Sequence, residues 1–218
     1  MDEAIEVRLP EIQIPVREVI RRMGYPADRE PEAGVQAILA RQMEQASGLF
    51  RFRGICRILD VDSRDGDSLS LGQSAFRIHS RQVCRMLRRS LKAAFFMVTI
   101  GPALEDQIQD LLRRDEATEA FVLDAIGSET ADEAANVLHR NILSDLARGQ
   151  GMKVTPRFSP GYGDWPVTVQ PDMLRICEGH RIGISVTESC LMIPRKSVSA
   201  VAGLESERNS KFKNQNSK

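Results

Sequence analysis

Apolar positions along the chain change period several times, and each change marks an element. Val16, Val19, Ile20 and Met23 recur at helical spacing and stop at Gly24-Tyr25-Pro26, where glycine followed by proline closes a helix. A second helical run through Val35, Ile38, Leu39 and Met43 starts near Pro31 and ends around Ser47-Gly48. The period then falls to two. Phe50, Phe52, Cys56 and Ile58, set against Arg51, Arg53 and Arg57, predict a strand reaching Val61. Residues 62–67 read as a turn carrying the Asp-Gly signal of a hairpin, with short strands at Leu69, Leu71 and 76–78.

Ser80 has the chemistry of an N-cap for a helix whose inner face is Val83, Leu87 and Leu91. The apolar run AAFFMVTI (93–100) leads to Gly101-Pro102, and Pro102 suits the first turn of a helix containing Leu104, Ile108, Leu111 and Leu112. A long helical region is predicted from about 117 to 146. Gly127-Ser128 inside it marks either a close helix–sheet contact or a break. The last third has short strands at 153–157, 182–193 and 197–204 and a short helix at 171–178. No internal repeat is visible. These elements predict one mixed α+β domain over 1–204, with an N-terminal helical part at about 15–48 and a disordered polar tail at 205–218.

Composition removes several classes of function. Thirty basic and thirty acidic residues cancel over 218 positions, so no overall cationic surplus is available to displace counterions from nucleic acid. Arg85, Arg88 and Arg89 form a local basic cluster, read first as a solvated helix face. The longest apolar run is far shorter than the roughly 20 residues that span a bilayer, and the acidic start MDEAIEVRLPEIQ lacks the order of a secretory signal. A cytoplasmic protein is expected. Cys56, Cys84, Cys177 and Cys190 are widely spaced and separate from His79, His139 and His180, so they read as apolar packing residues and no metal site is expected.

The segment RFSPGYGDWP, 157–166, concentrates unusual chemistry. Its glycines allow close backbone approach and positive φ, and its prolines stiffen the path. Arg157 offers a planar fork for a carboxylate, while Tyr162 and Trp165 offer flat faces for an aromatic base or a sulfonium cation. The same parts equally make a rigid turn whose aromatics cap the core.

Arg157-Phe158-Ser159-Pro160-Gly161-Tyr162 fits R-x-x-x-G-Y, and residues 183–194 (GISVTESCLMIP) fit G-x-x-[LV]-T-E-S-x-x-M-x-P. Ser197-Val198-Ser199-Ala200 follows as S-V-[ST]-[GA]. In this set, supported by weaker matches at 22–26, 99–101 and 124–129, the chain resembles the activation domain of cobalamin-dependent methionine synthase, in particular its free-standing members.

The resemblance implies a twisted antiparallel sheet with flanking helices and an extended S-adenosylmethionine site. Arg157 and Tyr162 would be contacts, with backbone from Phe158, Ser159, Pro160 and Gly161, and with Ala202 and Gly203 contributing main-chain atoms. Where the large enzymes carry aromatic residues after the third motif, this chain has Val201-Ala202-Gly203. Glu188 would either face the ligand's positive charges or anchor Thr187 and Ser189 in a bend. Glu133 is a further acidic candidate or a solvated helix carboxylate. The family's ligand-contacting acid near the domain's start has no matching position.

No catalytic base is demanded, because the sulfonium is already an activated methyl donor and orientation is the main contribution. The implied role is the reductive methylation of oxidised cobalamin. The cobalamin would be held by a methionine synthase core lacking its own activation domain, and a flavodoxin or ferredoxin would donate the electron. Service to another corrinoid methyltransferase, or an assembly role without ligand, are the other readings.

Overall fold

One fully buried strand organises the molecule. In the computed structural model, which describes residues 3–74 and 76–207, the apolar run becomes β5 (Lys92–Thr99), and residues 93–98 have 0% exposure. A strand that is apolar on both faces needs cover on both. Phe95 and Met97 enter one cluster with Ile55, Trp165 and Met173. Ala94, Phe96 and Val98 enter another with Ala134, Ala135 and Leu138. Burying side chains of this size is worth roughly 1.5–3 kcal/mol each, so β5 fixes the layers on either side of it.

Its neighbours follow by antiparallel pairing. β2 (Arg53–Asp65) lies on one side with Cys56 opposite Phe96, and β9 (Ser197–Ser206) on the other with Ala200 opposite Phe96. β3 (Ser68–Leu71) and β4 (Phe76–His79) continue beyond β2, β1 (Ile5–Val7) pairs with the start of β2, and β6 (Met152–Val154) closes the far edge against β9. The order is β4-β3-β2-β5-β9-β6, and every pairing is antiparallel. A separate hairpin joins β7 (Ser185–Val186) to β8 (Met192–Ile193).

Helices cover both faces. On one lie α1 (Val16–Arg22), α2 (Ala33–Leu49), α4 (Ala103–Arg113) and the long α5 (Ala117–Val137), which share a cluster built on Leu39, Leu104, Leu123 and Ile126. α5 passes through a π-helical stretch, Leu138–Leu143, into α6 (Ser144–Gly149). On the other face sit α3 (Arg81–Met86) and α7 (Gln170–Cys177). Ser80 caps α3 as expected, its Oγ accepting from the Val83 N–H at 3.1 Å. Gly127 does not break α5. It marks a close approach, since a Cβ there would lie 2.5 Å from Leu104 Cδ2.

The α+β class expected from the sequence is the one observed, with local corrections. Leu91 lies beyond α3 and is exposed rather than on its inner face, and the strand expected over 153–157 ends at Val154. The span 182–193 is not one strand. Thr187 N–H donates to the Leu191 carbonyl (2.9 Å) and Thr187 Oγ1 accepts from the Leu191 N–H (3.1 Å), folding the middle of the span into a turn between β7 and β8. β2 continues to Asp65, so the turn expected over 62–67 shrinks to the residues about Gly66, with a register shift between Val61 and Ser63. β9 continues through Ser206, which places Glu205 and Ser206 in the sheet rather than in the tail; from Arg208 onward the expected tail lies outside the described residues. Among the described residues no helix is long and apolar enough to cross a membrane.

Candidate functional site

The 157–162 segment is anchored at its start by a strand-like bridge. Phe158 N–H donates to the Val201 carbonyl and Val201 N–H donates back, both at 2.9 Å, so the loop leaves the sheet at a fixed point on β9. Just upstream, Thr155 N–H donates to Gly203 O (2.9 Å) and Gly203 N–H donates to Thr155 Oγ1 (2.8 Å). The His139 Nε2–H, from the π-helical stretch, donates to the Thr155 carbonyl at 2.7 Å. Burial pulls the His139 imidazole below its ordinary pKa, against an upward pull from that carbonyl, with Arg157 and Arg140 adding to the fall. A neutral ring carrying its proton on Nε2 suits this support.

Between the loop and the sheet opens a cavity of about 580 Å³. Arg157, Phe158, Ser159, Pro160 and Tyr162 form one wall. Asp132 of α5 and Gln170 at the start of α7 stand elsewhere on its boundary, with Met192 of β8 and the beginning of β9, Ser197 to Ser199, completing it. Gln170 is buried to 5% exposure, and its Oε1 accepts from Ser199 Oγ at 2.9 Å. Gly161 turns the loop at φ +91°, and its N–H donates to the Trp165 carbonyl at 2.8 Å.

Arg157 is held from one side only. Its Nη2 contacts Asp132 Oδ1 at 2.6 Å and Asn136 Oδ1 at 3.1 Å, and its Nε reaches the same Asn136 oxygen at 3.2 Å. Nη1 makes no hydrogen bond among the described residues. The guanidinium is therefore oriented by α5 while part of its fork stays available to an anionic group. Charge-assisted bonds of this kind are stronger than neutral ones and tolerate little misplacement.

The structure brings together most of the sequence-predicted set and removes the rest. Ala202 and Gly203 are corrected: both lie in the interior of β9, opposite Ala94 and Ala93, and outside the cavity. Gly203 is a packing glycine, since a Cβ there would meet Ser90 Oγ at 2.0 Å and Leu87 Cδ2 at 2.8 Å. Ser197 to Ser199, within the motif rather than after it, line the cavity instead. Glu188 is also corrected. It is exposed in the turn of the β7–β8 hairpin, and Met192 is the hairpin residue that reaches the cavity. Trp165, offered as a flat ligand face, is 1% exposed and packs on Phe158 at 6.4 Å between ring centroids. Glu133 accepts from Asn136 Nδ2 at 3.0 Å and does not line the cavity.

Sequence reasoning missed Asp132, Asn136 and Gln170. The signal for the first two was a polar pair one turn apart on a helix whose neighbours Ala131, Ala134 and Ala135 are buried. It also missed Lys196, which secures the start of β9. Its buried Nζ contacts Asp124 Oδ1 at 2.6 Å and Ser128 Oγ at 2.7 Å, and its N–H donates to Glu105 Oε1. Burial raises the Cys56 thiol to about 11 and pushes the Cys177 thiol higher still, so neither is primed for nucleophilic chemistry. Among the described residues no group of three or more histidine, cysteine or acidic side chains is placed to hold a metal ion.

Fold and site together define an α+β protein with a ligand-sized cavity where a stiff loop meets a long helix and a sheet strand. No known protein family matches the chain, and no curated protein matches it by sequence. Among solved structures it is similar to the crystal structure of the MetH reactivation domain bound to AdoHcy. The TM-score is 0.68 at 17% identity, over 94% of this chain and 79% of that one. The two share a fold.

Proposed function

We propose that the cavity binds S-adenosylmethionine and that the chain is a reactivation subunit for a cobalamin-dependent methionine synthase. The observation that carries this reading is Arg157: a half-free guanidinium on the cavity wall, within a fold shared with a reactivation domain bound to AdoHcy.

The residues fit such a ligand. Arg157 would receive the carboxylate through the Nη1 side of its fork. Asp132, on the same cavity, offers negative charge for the ammonium or sulfonium. Tyr162, 69% exposed at the rim, offers a ring face. Ser199 and Gln170 supply neutral hydrogen-bonding groups for the nucleoside. Cobalamin, carried by the partner, would supply the nucleophile that accepts the methyl group. This chain's part is to hold the sulfonium carbon outward in one orientation, with no proton to move. A synthase core lacking its own activation domain, and a flavodoxin or ferredoxin donor, complete the proposal.

Titration calorimetry with S-adenosylmethionine tests the site. The wild type should bind saturably, and Arg157→Ala should weaken binding by about tenfold or more, as for loss of a charge-assisted hydrogen bond. No heat at millimolar ligand would end the reading. Binding without restored turnover of an oxidised methionine synthase core, with reductant present, would reassign the chain to another corrinoid methyltransferase.

A further inference from the structure

A second groove adjoins the first cavity through a shared wall of Arg157 and Phe158, with a volume of about 660 Å³. Its charge is lopsided. Arg85, Arg88 and Arg89 line one side and Lys153 the other. Glu205 is the lining acid, and it is already paired with Lys153 at 3.5 Å. Arg85, Arg88 and Arg89 are exposed and make no ion pair among the described residues, whereas the neighbouring Arg81 is paired with Asp67. In a chain with equal numbers of acids and bases, three unpaired guanidinium groups within five residues are a local concentration rather than a global surplus.

Between the cations the floor is apolar, formed by Met86, Val154, Pro156 and Phe158. Arginine and methionine over an apolar centre with a polar rim is the composition that distinguishes protein–protein contact surfaces. A polyphosphate would use the cations and leave this floor idle. It would also meet an overall neutral molecule, so counterion release from three or four phosphates would be its main gain.

We propose that this groove is a docking surface for a protein partner presenting an acidic face with an apolar centre. Bound there, the partner would lie against the far side of the wall that holds the candidate ligand. The inference does not rest on what occupies the first cavity.

The test uses the full chain and two probes of equal charge: a fluorescent peptide of about 20 residues in which glutamates alternate with leucine and phenylalanine, and a single-stranded oligodeoxythymidylate. The peptide should bind saturably with Kd below about 100 μM in low salt, ahead of the oligonucleotide. Arg85→Gln/Arg88→Gln/Arg89→Gln should weaken it by at least about tenfold at an unchanged melting temperature. Arg89→Gln alone, expected to weaken binding about threefold, serves if the triple variant melts lower. Failure to saturate below about 1 mM, equal binding by wild type and variants, or tighter binding of the oligonucleotide would each overturn the proposal.

Discussion

The two halves of the 157–166 segment have similar composition and opposite fates. In the first half Arg157, Phe158, Ser159, Pro160 and Tyr162 line a cavity, and Tyr162 stands 69% exposed at its rim. In the second, Trp165 turns inward while Gly163 and Asp164 stay exposed. Trp165 is 1% exposed, and Asp164 accepts from Ser80 Oγ (2.5 Å), Arg81 N–H (2.7 Å) and Gln82 N–H (3.3 Å), tying the loop to the start of α3. Gly163 sits at φ +54°, and a Cβ there would lie 2.1 Å from Gln82 Oε1. The loop is thus pegged at one half so that the other can keep its shape with nothing bound. Preorganisation of this kind lowers the ordering cost of binding.

The largest effect that would break this division is at the peg. Trp165→Ala should cost about 3–5 kcal/mol of stability, as for deletion of a large buried aromatic. Tyr162→Ala, on the other half, should stay within about 0.5 kcal/mol and act on ligand affinity instead. Chemical denaturation of both variants measures the contrast, and equal losses would mean the halves are not functionally separate. Trp165→Phe sharpens the point. The indole Nε1 has no hydrogen-bond partner among the described residues, so the smaller ring loses packing alone.

A similar division runs along β9. Ser197 to Ser199 border the cavity, whereas Ala202 and Gly203 are buried within the sheet, Gly203 packing under Leu87 and Ser90. Gly203→Ala should therefore destabilise by about 1–3 kcal/mol through overpacking. Its folded fraction should bind ligand like the wild type. A ligand defect without a stability defect would return Gly203 to the site.

These cases show what the sequence could convey. Helices were legible from spacing such as Val35, Ile38, Leu39 and Met43, because one buried face repeats every turn. β5 was legible as a buried run. Arg157 and Tyr162, which line the cavity, were picked out because loop chemistry is local. Asp132 was not, because its meeting with Arg157 joins positions 25 residues apart, and nothing in a helix sequence says which exposed acid faces a distant loop. Trp165 and Tyr162 could not be told apart for the same reason. Inward or outward was decided by the Asp164 attachment to Ser80, 84 residues away in sequence. The 182–193 span misled because the Thr187 side chain closes a turn inside a stretch with strand composition.

The smallest expected effect tests that attachment by pH. The Asp164 carboxyl is held below its ordinary pKa, first by the hydrogen bond from Ser80 and then by the Arg81 and Gln82 N–H groups, against an opposing effect of partial desolvation. A carboxylate whose pKa is lower in the folded state binds protons more readily when unfolded. Its contribution is therefore complete above the unfolded value, near 3.9, and is lost as pH falls through the folded value. Asp164→Asn removes that dependence while keeping one acceptor oxygen. The melting temperatures of wild type and variant should differ most at about pH 6–7 and converge as pH drops below about 4. A gap that holds constant across that range would show that the carboxylate charge does not secure the peg, leaving Trp165 burial alone to hold the second half of the loop in place.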